Sequence, residues 1–150
     1  MKIAIGNDHA GIDLKDAVLE VLHARGIEVV DCGTYDRNSC DYPVFGQKAA
    51  DLVASGECEL GILMCGTGVG ISLAANKVKG IRCVCCSEVY SAAMARCHND
   101  ANMLSIGARV IGTETAKMIV AAFLDASFEG DRHQRRVDII TAIENGEKTY

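Results

Sequence analysis

The chain has no tryptophan, a single proline (Pro43) and few aromatics, at 5% of residues. So little proline rules out a proline-rich linker or recognition segment. No run of apolar residues approaches the length that crosses a bilayer, which argues against a spanning helix. Nor is there an excess of basic charge. Fifteen Lys and Arg face twenty Asp and Glu, a formal net charge of −5, so binding along a nucleic-acid backbone is not expected and any anion site must be local. The opening Met1-Lys2-Ile3-Ala4-Ile5-Gly6 reads as a strand at once, with no secretory pattern, and the chain is expected in the cytoplasm.

What is present is an apolar fraction of 49% and fifteen glycines in 150 residues, the composition of one compact α/β domain spanning 1–150. There are eight cysteines, at 32, 40, 58, 65, 83, 85, 86 and 97. Reduced thiols acting as small core residues account for most of them. Cys83 and Cys86 have C-x-x-C spacing, but within an apolar strand they point to opposite faces, and no second ligand pair follows. No metal is expected.

Strand and helix patterns alternate. Strands are expected over 3–6, 27–31, 60–64, 81–86 and 103–106. Helices are expected from near Gly11 to Gly26, from Asp41-Tyr42-Pro43 to Gly56, from the glycine loop to Ala75, from a Ser87 cap to about Arg96, over 113–124, and from about Asp131 to Ile143. Strict alternation implies a five-stranded parallel sheet between helical layers, a three-layer, Rossmann-like α/β/α domain. Ligands in such sheets bind at the carboxyl ends of the strands. Those ends carry Asp8-His9, Thr34, Cys65 to Gly70, and Ser87.

The most informative stretch is Cys65-Gly66-Thr67-Gly68-Val69-Gly70-Ile71-Ser72, which follows the apolar run 60–64. It reads as a buried strand ending in a thiol, a glycine turn and a helix start. A helix N-terminus favours thiolate, and glycine lets amides approach a ligand. Three familiar loops do not fit. A dinucleotide fingerprint needs glycine, and a tyrosine-phosphatase loop needs arginine, where Ile71 stands. A Walker A loop needs a Lys-Ser/Thr pair that is absent. What remains is a base beside an oxyanion cradle formed by the amides of Gly66 to Gly70, or simply a tight turn with a buried thiol.

Three further groups have both a structural and a chemical reading. Asp8 reads as a helix cap or as part of a site, and His9 beside it as an acid or a phosphate contact. His98 and Asn99, in Cys97-His98-Asn99-Asp100, are expected just after the fourth helix. They read as a C-cap with a surface histidine, or as a proton-transfer group with a hydroxyl contact. Arg132, Arg135 and Arg136 cluster at the start of the last helix, with Arg132 and Arg136 on one face. They either pair with Glu129, Asp131 and Asp138 or grip a phosphate, with Arg109 able to join them.

Taken in order, these stretches resemble the ribose-5-phosphate isomerase B family, which includes allose-6-phosphate and galactose-6-phosphate isomerases. The pieces are 6–11 (Gly-Asn-Asp-His-Ala-Gly), Asp41-Tyr42-Pro43, the loop 65–72 continuing through Ala74-Ala75-Asn76-Lys77, Gly80-Ile81-Arg82, 98–102, Gly107-Ala108-Arg109-Val110, and Gly130 with 132–136. The resemblance implies a cofactor-free aldose–ketose isomerase acting on ribose 5-phosphate and ribulose 5-phosphate through a cis-enediolate. The alternative is the same chemistry on a six-carbon sugar phosphate. It implies Cys65 as the base, since the family's other branch uses a glutamate where this chain has Ile71. It further implies His98, with Asp8 and Thr67, in ring opening, and Gly66, Gly68, Val69 and Gly70 amides around the enediolate. Tyr42 and Asn99 become substrate contacts, and His9, Arg109, Arg132 and Arg136 the phosphate set. The site is expected to be shared between chains of a homodimer or dimer of dimers.

Overall fold

The computed structural model describes all 150 residues. Five parallel strands are β1 (Lys2–Asn7), β2 (Glu28–Asp31), β3 (Leu60–Cys65), β4 (Cys83–Cys85) and β5 (Met103–Gly107), in the order β2-β1-β3-β5-β4. Six helices complete the chain: α1 (Ile12–Ala24), α2 (Tyr42–Ala54), α3 (Val69–Ala75), α4 (Val89–Asn99), α5 (Thr113–Asp125) and α6 (Arg132–Glu144).

The three inner strands β1, β3 and β5 are buried on both faces, as strands covered by helices must be, while the edge strands β2 and β4 are partly exposed. Ile3, Ile5, Ile62, Met64, Leu104 and Ile106 pack one way, against α1, α4 and α5. Ala4, Leu63, Cys65 and Met103 pack the other way, against α2 and α3. Cys83 belongs to this second layer and Cys86 to the first, so the C-x-x-C pair is divided by the sheet. All eight cysteines are free thiols.

The chain leaves β1 in opposite directions, to β2 on one side and to β3 on the other. This reversal opens a crevice at the carboxyl ends of β1 and β3, where ligands bind in open α/β sheets. The loop from 32 to 41, which closes one side of it, is anchored from below by the buried Lys15. Its ammonium pairs with Asp31 at 2.7 Å and lies 3.5 Å from the Tyr35 ring centre. Burial alone would push the Asp31 carboxyl up, but hydrogen bonds from Lys15, Tyr35 and the Gly33 N–H outweigh it and hold the group below its ordinary value.

Three expectations at element ends are corrected. β4 is shorter than 81–86, because an edge strand is paired only by β5, across Cys83 to Cys85. Glu88 rather than Ser87 caps α4. Its backbone is extended and its carboxylate accepts the Ser91 N–H at 2.8 Å, the reach of a longer acidic side chain to the N3 amide. α4 also runs past Arg96 to Asn99 and stops where Asp100 turns left-handed (φ 44°), so His98 and Asn99 sit in its last turn.

Candidate active site

Cys65 ends β3 at the crevice, 4% exposed. Its Sγ accepts a hydrogen bond from the Gly68 N–H at 3.1 Å. That contact requires Gly68 to turn left-handed (φ 80°), and its carbonyl is held by the Ser105 hydroxyl at 2.5 Å. The cradle differs in detail from the Gly66-to-Gly70 run. The Gly68 amide is on sulfur and the Val69 amide is on Thr67 Oγ1 at 3.3 Å. The amides of Gly66, Thr67, Gly70 and Ile71 have no hydrogen-bond partner within the chain. Ile71 itself is fully buried and apolar, so the loop holds one proton acceptor, the thiol.

Around it, Asp8 Oδ1 accepts the Ala10 and Gly11 amides at 2.9 Å each, which is a capping geometry, and Asp8 N–H donates to Met64 O at 3.3 Å. His9 Nδ1 accepts the Cys40 N–H at 3.3 Å, with Cys40 Sγ 3.7 Å away. A neutral His9 therefore carries its proton on Nε2, ready to donate. The Tyr42 ring lies directly over Gly70, where a Cβ would fall 2.6 Å from Tyr42 Cζ. The Arg109 guanidinium packs beside Gly66, 3.5 Å from where a Cβ would stand. Cys40 and Ser105 carry no local sequence signal, since each acts on a residue far away in the chain.

The remaining predicted residues lie elsewhere. α4 returns from the carboxyl end of β4 to the sheet's amino edge, where Arg82, just before β4, donates to Asn99 O at 3.1 Å. Gly61 at the start of β3 is bonded there to Asn102 O. Cys65 is four residues further along β3, roughly 13 Å at a strand's rise per residue. His98, Asn99, Arg132 and Arg136 thus share the amino edge, and one chain does not bring them to Cys65. The largest groove also lies on their side of the sheet, between Ile81, Val84, Asn99, Ile140 and Ile143, and does not contain the thiol.

At that edge the His98 and His133 rings stack with centroids 4.3 Å apart and planes 1° from parallel. Glu129 Oε2 is 3.9 Å from His98 Nε2 and 3.6 Å from His133 Nε2. Burial lowers the His133 pKa, as do His98, Arg132 and Arg136, with Glu129 opposing. The expected alternative for the arginines does not occur. Arg132, Arg135 and Arg136 form no ion pair with Glu129, Asp131 or Asp138, and Arg109 has no carboxylate partner either, whereas Arg25, Arg37, Arg82 and Arg96 all do. Unpaired guanidinium groups on a net-negative chain are free to take an anion.

A buried thiol held by an amide, beside unpartnered N–H donors at a sheet's switch point, is suited to moving a proton on carbon and steadying the resulting oxyanion. The chain belongs to the Ribose/Galactose Isomerase family, whose model matches residues 3–140. It is 57% identical over 143 residues to ribose-5-phosphate isomerase B of Escherichia coli strain K12, covering 95% of this chain and 96% of that protein. The structure of ribose-5-phosphate isomerase B from Clostridium thermocellum superposes with a TM-score of 0.95 at 53% identity, over 97% of this chain and 99% of that one. The Mycoplasma genitalium enzyme, solved with bound ribulose 5-phosphate, gives a TM-score of 0.90 at 44% identity, over 96% of each chain. The protein is an isomerase.

Proposed function

We propose that two copies of the chain together interconvert ribose 5-phosphate and ribulose 5-phosphate, each site taking its thiol from one copy and its amino-edge residues from the other. Cys65, as thiolate, takes the C2 proton of the open aldose. The C–H electron pair forms the C1–C2 double bond and the carbonyl oxygen becomes the oxyanion of a cis-enediolate. The unpartnered amides of the 66–71 loop receive that charge. The O2 proton is passed to O1, and the Cys65 thiol returns its proton to C1, giving the ketose. His98 of the second copy opens the ring, assisted by Asp8 and Thr67, while Tyr42 and Asn99 hold sugar hydroxyls. His9 Nε2–H and Arg109 from one copy, with Arg132 and Arg136 from the other, hold the phosphate, whose binding energy orients the reacting carbons.

The observation that carries this reading is the Gly68 N–H on Cys65 Sγ at 3.1 Å, among amides with no other partner. Two features support sharing between copies: the separation of Cys65 from His98, and the exposed Ile140 and Ile143 beside the edge strand β4. No helix is long and apolar enough to cross a membrane. We place the enzyme in the cytoplasm, which suits eight free thiols.

Cys65→Ala should cut turnover of ribose 5-phosphate by about a thousandfold or more while the sugar phosphate still raises the melting temperature. Substantial remaining turnover would remove Cys65 from the base role. Wild-type kcat/KM should be higher on ribose 5-phosphate than on allose 6-phosphate, and the reverse order would transfer the reading to six-carbon substrates.

A further inference from the structure

His98, Glu129 and His133 come from the last turn of α4, the loop after α5 and the first turn of α6. Their ligand-bearing atoms all lie within 4.8 Å of one another. The meeting is built by the backbone. The Glu129 N–H donates to Cys97 O at 3.0 Å, tying the loop to the end of α4. Gly130 and Asp131 then both take positive φ (69° and 47°), which starts α6 with His133 against His98.

From this juxtaposition we propose that His98, Glu129 and His133 form a binding site for a divalent transition-metal ion of the zinc class, and that its occupancy stops turnover by taking His98 out of proton transfer. Two imidazoles and a carboxylate match the ligands of zinc sites that leave a fourth position open. The same set suits Co2+ and Ni2+, but not Mg2+ or Ca2+, which prefer all-oxygen shells. Ligand bonds of about 2 Å place tetrahedral donor atoms about 3.3 Å apart, so the three side chains must close by roughly 1.5 Å at most. Glu129 is exposed and swings freely to do this, while the two parallel rings must tilt toward each other. Arg132 Nε, 3.4 Å from His133 Nε2, makes only a long contact there and is displaced. The positive charge of Arg132 and Arg136 works against the ion, and the Glu129 carboxylate offsets part of it.

Binding and inhibition are separable, and only the second rests on the isomerase reading and on the role of His98. Binding is read by titrating Co2+ into the full chain in a buffer free of phosphate and chelators, following its visible absorption. One ion per chain is expected, without the intense near-ultraviolet charge-transfer band that cobalt–thiolate bonds give. Glu129→Gln, at an exposed position, should weaken the affinity at least tenfold, and His133→Ala should do the same. A thiolate band, or unchanged affinity in both variants, would place the metal on cysteines and overturn the site. For inhibition, Zn2+ should suppress wild-type turnover of ribose 5-phosphate, with recovery on adding EDTA. Glu129→Gln should keep its metal-free turnover and need at least ten times more Zn2+. Metal bound at this site with turnover unaffected would refute the withdrawal of His98. A wild-type enzyme inactive on ribose 5-phosphate would instead refute the functional reading and leave the cobalt result standing.

Discussion

Gly68 carries three demands at once. Its N–H must reach Cys65 Sγ, its carbonyl must meet Ser105, and its φ of 80° suits glycine alone. A Cβ there would stand 2.9 Å from Cys85 Sγ and 3.0 Å from the Ile106 carbonyl carbon. Gly68→Ala should therefore slow alkylation of Cys65 by iodoacetamide and lower kcat at least tenfold, with a smaller change in ribose 5-phosphate affinity. Stopped alkylation kinetics beside steady-state rates would check it. His133 gives a prediction about pH. Burial and the neighbouring His98 and Arg132 hold its pKa below the ordinary 6.5, so the unfolded chain takes up this proton before the folded one does. The contribution to stability is present above pH 6.5 and is lost as pH falls through and below that value. The melting temperature should drop between pH 7.5 and 5.5, and His133→Gln should flatten that part of the curve.

Among the elements, β5 and the loop after β3 pass so closely that only glycine fits between them. A Cβ on Gly107 would lie 2.5 Å from the Thr67 carbonyl carbon and 2.6 Å from its oxygen, with backbone on both sides and nothing soft to yield. Gly107→Ala should displace the Thr67 loop, cost about 1–3 kcal/mol in a denaturant titration, and reduce kcat more than it changes KM. The alternation of elements was legible in the sequence because most strands are short apolar runs bounded by turn residues, and helices such as α1 and α2 show an apolar stripe. Their ends were less so. Ser87 is the better N-cap by residue type, yet Glu88 takes the position because its carboxylate folds back to Ser91. The end of α4 lies beyond the expected Arg96, because nothing local announces that Asp100 adopts the left-handed turn glycine usually supplies.

At the scale of the molecule, the sequence named chemically plausible residues without showing where they stand. The Cys65 loop was readable because one contiguous segment makes it. The distance between Cys65 and His98 was not, since it depends on α4 crossing the whole sheet before it ends. If each site joins two copies, Cys65→Ala and His98→Ala chains, each inactive alone, should regain activity when mixed and allowed to exchange partners. Random pairing makes half the dimers mixed, each with one intact site in two, so recovery should approach about a quarter of the wild-type rate. No recovery after verified exchange would mean that each copy completes its own site. The outcome changes entirely for a chain carrying both substitutions. Paired with a normal copy in such a shared arrangement, it would spoil one site with its missing thiol and the other with its missing imidazole. A cell producing both chains in equal amounts would then retain about a quarter of its activity, all from pairs of undamaged copies. The damaged gene would act as a dominant poison, because α4 ends at the opposite edge of the sheet from the thiol of its own chain and would serve the thiol of the other copy.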